Sequence, residues 1–232
     1  MPIIAIAAAA ALLALLGLTP LIDRQRQRAL RRIVSDVCRL FDEHAIDYWC
    51  DFGTLLGLHR DGDIIAGDKD ADLCVLSSEK PRILALAAPL GERGYVLTDR
   101  GGRSRTVLRI HDARTWYHLD VYEYVPDGDV LRSVLVSPQE DIPARLVTSR
   151  RRVTFLDAPV HIPCDAEAVL RHRYGPGFAR PRRGDKGATR PYSFVRSVLE
   201  DLQDNVLGLG SMVRSALYRL SREHGAKGGH RN

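Results

Sequence analysis

The stretch from Tyr48 to Val75, YWCDFGTLLGLHRDGDIIAGDKDADLCV, narrows what this chain can fold into more than any other. It opens on a short apolar run, Tyr48-Trp49-Cys50, which reads as a strand. A Gly-Thr pair, Gly53 and Thr54, follows, then an apolar helical turn from Leu55 to Leu58 that ends on His59 and Arg60. After a glycine-containing turn, aspartates stand at alternate positions, Asp68, Asp70 and Asp72, and run into Leu73-Cys74-Val75-Leu76. Alternate side chains of an extended segment share one face. A strand that begins by Asp70 therefore aims Asp70 and Asp72 into one site. Two convergent carboxylates repel each other unless positive charge lies between them, and a hard divalent cation such as Mg²⁺ meets that need. The pattern points to metal-dependent phosphoryl transfer.

Two plainer readings compete with it. Aspartates after a glycine often form nothing more than a solvated turn. Asp68, Asp70, Asp72 and Glu79 also fall on the first, third, fifth and twelfth positions of a calcium-binding EF-hand loop. That loop needs glycine at its sixth position for a sharp turn, and here the residue is Leu73. The segment from Gly62 to Gly67 carries no amphipathic helical pattern either. The Gly-Thr pair upstream and a further acidic strand downstream favour the catalytic reading.

With 232 residues, 45% hydrophobic and 27% charged, the chain has the composition of a globular domain with appendages, which excludes wholesale disorder. Its net charge of +5 is carried mostly by arginine, which suits phosphate-bearing or anionic partners. No zinc-finger spacing, RNA-binding strand motif or basic zipper is present, so no nucleic-acid partner is expected. Cys38, Cys50, Cys74 and Cys164 show no paired spacing, and three of them lie in apolar runs, as reduced, buried thiols do.

Residues 1–22 are uncharged and largely alanine and leucine, about the ~20 residues needed to cross a bilayer. Arg24, Arg26, Arg28, Arg31 and Arg32 follow. The expected reading is a single-pass membrane anchor with the catalytic domain, residues 23–222, on the cytoplasmic side; a cleaved signal peptide or a soluble helix are the alternatives. Helices are expected over Leu30 to His44, Pro81 to Leu90 and Ala166 to Arg173, the last capped by Asp165. Strands are expected over Gly94 to Thr98, Arg105 to Ile110, Trp116 to Val125, Val130 to Val136 and Val153 to Val160. In the Trp116 strand, Trp116, His118, Asp120, Tyr122 and Tyr124 share a face. Asp120 lies between Leu119 and Val121, a poor place for a lone charge. It either pairs with an arginine or supplies a third carboxylate to the site. The run Arg150-Arg151-Arg152 is either a solvated surface or a contact for an anionic substrate. An amphipathic helix over about Phe194 to Leu220 either packs on the domain or lies on a membrane, and residues 223–232 form a polar, glycine-rich tail.

Three ordered blocks, together covering roughly Phe41 to Pro181, are similar to one known family. DFGTLLGLHRDGDIIAGDKDADLCV resembles the signature of the LicD/fukutin-related family, HLDVYEY its third acidic strand, and LRHRYGPGFARP its C-terminal Tyr-Gly element. The resemblance implies an α+β, nucleotidyltransferase-like fold, a small mixed β-sheet flanked by helices. It assigns donor-phosphate binding to Gly53 and Thr54, the paired metal carboxylates to Asp70 and Asp72, and the third to Asp120. The ion implied is Mg²⁺ (or Mn²⁺). It further implies transfer of a phospho-alcohol, such as phosphocholine or ribitol phosphate, from a CDP-linked donor to a hydroxyl of a cell-surface glycan or lipid-linked glycan precursor. Ala66-Gly67 stands where the family has Pro-Trp, and Lys69 lies between the first two aspartates, so the donor pocket departs from the pattern there.

Within this scheme either Asp120 or Asp68 is the proton acceptor. Arg60 is the expected basic partner, on a phosphate or on an aspartate. Trp116, Tyr122 and Tyr124 either pack in the core or hold a cationic head group. The competing functions are a nucleotidyltransferase that adds a nucleotide monophosphate to a small molecule or protein, and a catalytically silent scaffold of the same fold.

Overall fold

In a computed structural model of the chain, which describes residues 24–66, 68–99, 108–115, 117–134 and 140–180, a long helix, α1 (24–43), leads into β1 (Tyr48–Cys50) and α2 (Phe52–Asp61). β2 (Asp70–Leu76), the short helices α3 (Lys80–Ala85) and α4 (Ala87–Glu92), β3 (Tyr95–Asp99) and β4 (Leu108–Asp112) follow. Then come β5 (His118–Asp127), β6 (Val130–Ser133), β7 (Ile142–Pro143), β8 (Arg150–Phe155), β9 (Ala158–Pro163) and α5 (Ala166–Tyr174). The chain divides into two compact units, residues 1–188 and 189–232. All described residues belong to the first. The expected anchor over residues 1–22, the amphipathic helix over 194–220 and the tail lie outside the described residues. Among the described residues no helix is long and apolar enough to cross a membrane.

Among the described residues the main sheet has seven strands in the order β1-β2-β5-β4-β3, with β6 on the far half of β5 and β7 on β6. Of these described pairs only β2 and β5 run parallel; the others are antiparallel. The expected mixed sheet flanked by helices is the architecture observed. The strands sort their residues by the period of two. Ala71, Leu73 and Val75 of β2 and Leu119 and Val121 of β5 are buried on one face. Tyr48 and Cys50 of β1 lie on that face too, and α1 covers it: Phe41 meets the Tyr48 ring edge-on at 5.6 Å. The opposite face carries Asp70, Asp72, His118 and Asp120 and is overlaid by α2 and α5.

Several element boundaries differ from the expected ones, each for a local reason. α1 already runs at residue 24, six residues before the predicted start. The arginines read as a membrane-flanking cluster lie in its first turns, and three of them are engaged by the domain. Arg26 is buried with its guanidinium 5.5 Å from the Tyr117 ring. Arg31 binds Asp63, and Arg32 binds the buried Asp112. The single helix expected over Pro81 to Leu90 is two, broken at Leu86. Pro89 is the cause: it has no N–H to donate and its ring crowds the carbonyl four residues back. The one strand expected over Val153 to Val160 is a hairpin, turned at Leu156 and Asp157 with φ of 52° and 63°. Two left-handed residues make the tight turn that matches strand twist, but neither is the glycine or asparagine that announces such a turn. The Arg150 run belongs to its first strand, where Arg150 stacks 4.6 Å over Trp49 and Arg152 pairs with Asp42.

Gly57, buried in α2, lets the chain after the helix fold back on it. A Cβ there would lie 2.4 Å from the backbone carbonyl oxygen of Asp63 and 3.1 Å from the Ile65 side chain. Glycine to alanine inside a helix ordinarily stabilises by about 1 kcal/mol. For Gly57→Ala the sign reverses, with a loss of about 1–3 kcal/mol, read as a lower urea midpoint at unchanged slope.

Candidate active site

The site is assembled by one register. β2 and β5 pair with Asp70 opposite His118 and Asp72 opposite Asp120. Strand neighbours lie about 4.8 Å apart, and all four side chains fall on the same face, so three carboxylates and an imidazole form a square. Asp72, His118 and Asp120 are buried and Asp70 is half-buried. A donor atom each from Asp70, His118 and Asp120 lies within 4.8 Å of the others. Oxygen and imidazole donors gathered in this way fit a divalent cation.

The Gly-Thr turn is fastened to this square through Asp72. The Gly53 amide donates to Asp72 Oδ2 at 3.0 Å, and the Asp72 amide donates to Thr54 Oγ1 at 2.8 Å. Gly53 has to be glycine, since a Cβ would come within 2.6 Å of Asp68 Oδ2 and 3.1 Å of Asp72 Oδ2. Asp68, buried on the approach to β2, therefore closes on the same point as Asp72. The first two amides of α2 are already committed to carboxylates, that of Phe52 to Asp51 at 2.7 Å and that of Gly53 to Asp72.

Asp120 pairs with an arginine and also stands beside Asp70 and His118. Arg109 of β4, its cross-strand partner, donates from Nε to Asp120 Oδ1 at 2.5 Å and from Nη2 to Oδ2 at 2.8 Å. The pair is buried on both sides, and Asp120 still belongs to the donor cluster. A carboxylate has about four lone-pair sites, enough for a guanidinium fork and a cation.

Beneath the turn lies a second buried ion pair. Asp51 caps α2, and its carboxylate accepts from Arg173 Nε at 3.2 Å and Nη2 at 2.8 Å. Trp49 Nε1 donates to the same group at 3.2 Å. Arg173 also donates to the Glu140 carbonyl at 2.6 Å and to the Tyr124 hydroxyl at 3.0 Å, and it stacks 4.3 Å over the Phe52 ring. Burial alone would lower the Arg173 guanidinium; the Asp51 carboxylate more than offsets this and raises it, so the group stays charged. Phe52 needs this support, because its φ of 46° is a left-handed conformation that a bulky side chain rarely adopts.

Of the residues predicted from sequence, the structure gathers Gly53, Thr54, Asp68, Asp70, Asp72 and Asp120. The Arg60 guanidinium pairs with the adjacent Asp61 at 3.1 Å. Trp116 lies outside the described residues. Tyr124 is fully buried between Trp49, Arg173 and the Glu140 carbonyl, which makes it part of the core. Tyr122 packs on Phe52 at 4.6 Å, and its phenol is pushed up by burial and then by Asp72, Asp120 and Asp70. Tyr174 keeps 40% of its surface in solvent, yet protein crowds its hydroxyl. That crowding, followed by the charges of Asp72, Asp51 and Asp68, raises it as well, so both phenols stay neutral donors at the rim. Sequence reasoning assigns no role to Asp51, Arg109, His118, Arg173 or Tyr174. His118 is visible on the Asp120 face, and Arg173-Tyr174 within the C-terminal block, but their partners are distant in the chain.

Residues 45–165 match the family described as LicD/FKTN/FKRP, nucleotidyltransferase domain. The chain belongs to this family. Among curated relatives it is similar to the ribitol 5-phosphate transferases FKRP of Mus musculus and of Homo sapiens, each 25% identical over 159 residues. Those alignments cover 65% of this chain and 32% of the relative, so the chain spans about a third of the length of the curated relatives it matches. Two solved structures show a looser likeness at 14% identity. The solution structure of the antibiotic-resistance factor ANT(2″)-Ia has a TM-score of 0.41, covering 87% of this chain and 99% of that one. The crystal structure of ANT(2″)-Ia in complex with adenylyl-2″-tobramycin has a TM-score of 0.36, covering 79% and 91%. Neither score is high enough to carry an argument.

Arg173→Ala leaves a fully buried Asp51 carboxylate uncompensated and is expected to destabilise by about 3–5 kcal/mol. Adding Asp51→Asn to Arg173→Ala recovers part of that loss, and chemical denaturation of the single and double variants measures how much.

Proposed function

We propose that this chain is a metal-dependent phosphotransferase. It moves a phospho-alcohol group, a phosphocholine or a polyol phosphate, from a CDP-linked donor to a hydroxyl of a cell-surface glycan or lipid-linked glycan precursor. The observation that carries the reading is the square of Asp70, Asp72, His118 and Asp120 closed on one side by the Gly53-Thr54 turn. The names of the curated relatives, ribitol 5-phosphate transferases, support the same chemistry.

A divalent cation, Mg²⁺ or Mn²⁺, held by Asp70, Asp120 and their neighbours would neutralise the charge of the donor pyrophosphate. The chain's own groups do the rest. Arg109 fixes Asp120 in one orientation. Asp72 holds the Gly-Thr turn against the sheet, which sets the wall along which the donor phosphates lie. The neutral phenols of Tyr122 and Tyr174 donate hydrogen bonds at the rim. Asp120 has both oxygens on Arg109, which favours Asp68 as the group that takes the proton from the acceptor hydroxyl. The new bond joins that oxygen to phosphorus as the phosphoanhydride bond breaks and CMP leaves. The domain is proposed to be held at a membrane by residues 1–22, on the cytoplasmic side.

Calorimetric titration of the full chain in detergent with CDP-choline, CDP-ribitol, CDP-glycerol, CTP and ATP, with and without Mg²⁺, tests the donor. Metal-dependent binding of one CDP-alcohol is the expected result; preference for a nucleoside triphosphate turns the reading to nucleotidyl transfer. Asp70 is half-buried and supports no fold contact as central as that of Asp72. Asp70→Asn is therefore expected to lower turnover at least ~10-fold, the scale of even outer-shell changes at metal sites, with the melting temperature unmoved. Protease treatment of sealed vesicles carrying the chain checks the orientation: digestion from the cytoplasmic face is expected, and protection reverses it.

A further inference from the structure

We infer that His118 is a direct metal ligand and that the site selects Mn²⁺ over Mg²⁺. The inference deepens the metal-dependent reading above and rests on it. A site made of Asp70, Asp72 and Asp120 alone would be all oxygen, and an all-oxygen site suits Mg²⁺. The geometry adds a nitrogen donor. Asp72 gives one carboxylate oxygen to the Gly53 amide, and its own amide donates to Thr54. The donors that approach one another are those of Asp70, Asp120 and His118, with one atom of each inside a 4.8 Å span.

His118 reaches this position for a reason built into the sheet. It is the direct parallel partner of Asp70 and stands two residues before Asp120, so pleating carries it to the same face. Its Nε2 is 4.0 Å from Asp120 Oδ2. The residue is about nine-tenths buried, so an imidazole there is held close to the carboxylates instead of swinging into solvent. Behind it, on β4, His111 is its antiparallel partner, with ring centroids 5.6 Å apart, and Arg109 grips Asp120. The coordinating row is thus backed by a second row of nitrogen groups on the next strand, in the way outer-shell partners orient ligands.

The choice of ion follows from the donor set. Mg²⁺ demands near-octahedral oxygen and gives up water reluctantly. Mn²⁺ shares the oxygen preference of Mg²⁺ but, as a first-row transition ion, tolerates an imidazole nitrogen among its ligands better than Mg²⁺ does, although later members of its series bind such nitrogen more strongly. Two carboxylates and one imidazole leave the remaining positions to water and donor phosphate, an arrangement Mn²⁺ accepts.

The test uses the full chain loaded with Mn²⁺ and read by pulsed electron paramagnetic resonance, which detects a directly bound ¹⁴N nucleus. Wild type is expected to show imidazole nitrogen modulation, and so is His111→Gln. His118→Gln is expected to bind Mn²⁺ without that modulation, and the ratio of its Mn²⁺ to Mg²⁺ affinity, by titration, is expected to fall at least ~10-fold. An Mn²⁺-bound wild type with no nitrogen signal overturns the inference, as does an unchanged affinity ratio in His118→Gln or a wild type that binds no Mn²⁺. Should His118→Gln fail to fold, wild type alone decides through its nitrogen signal, with His111→Gln reporting which ring supplies it. Failure of the phosphotransferase reading looks different: a nitrogen signal with no CDP-alcohol consumed retains the ligand and removes the reaction, whereas Mg²⁺-supported turnover with no nitrogen signal does the reverse.

Discussion

Everything at the site depends on the parallel pairing of β2 with β5. A slip of one residue in a strand sends its whole set of side chains to the other face, which here would turn the aspartates and His118 into the apolar layer under α1. The register is fixed by that same layer. Ala71, Leu73, Leu119 and Val121 are fully buried and alternate with the polar set, so no slipped pairing buries apolar side chains and keeps the carboxylates at the surface they share with α2. The turn adds a polar check from outside, since Gly53 and Thr54 both bond to Asp72.

Around this pairing the domain places two arginines where unpaired carboxylates would be costly. Arg109 and Arg173 each bring a guanidinium fork to a buried aspartate. Their tasks differ. Arg109 stands within the sheet and keeps one member of the donor cluster aimed. Arg173 stands outside it and holds the entry to α2, including the left-handed backbone of Phe52, from a helix more than a hundred residues later in the chain. A buried ion pair is a weak source of net stability, and its better-attested use, to hold one arrangement among several, matches the way Arg173 meets Asp51, Tyr124, the Glu140 carbonyl and the Phe52 ring together.

Much of this could be read from the sequence, and the limits have physical causes. Asp70, Asp72 and Asp120 were legible because the period of a strand is two and a charge between apolar neighbours stands out. The arginine pair of Asp120 was legible as one of two alternatives, although nothing local named Arg109 as the partner. His118 lay on the right face, but a ligand role needs the register of β5 against β2, a long-range fact. Asp51 and Arg173 are each unremarked in their own segments, and their meaning lies in a contact between segments 122 residues apart. Arg60 stood out through its place in a motif, and its pairing with the adjacent Asp61 is a local contact. In the fold, Pro89 could have announced the break in the second helical stretch. The Leu156-Asp157 turn was harder to see, because Leu156 disfavours its left-handed position and no glycine or asparagine marks it; α1 holds it in place, with Ser35 donating to the Leu156 carbonyl and Arg39 to that of Asp157.

The four cysteines offer one more consequence. Cys38, Cys50 and Cys74 are enclosed in the core, and burial helps to push the Cys50 and Cys74 thiols well up, the former chiefly through its hydrogen bond with Cys38. Cys164 alone is exposed, one residue before the cap of α5. A thiol-directed fluorophore on the native chain therefore has a single address. It sits at the start of the helix whose other end carries Arg173 and Tyr174, so any shift of α5 as the site fills would be visible as a change in emission, with no cysteine to remove beforehand.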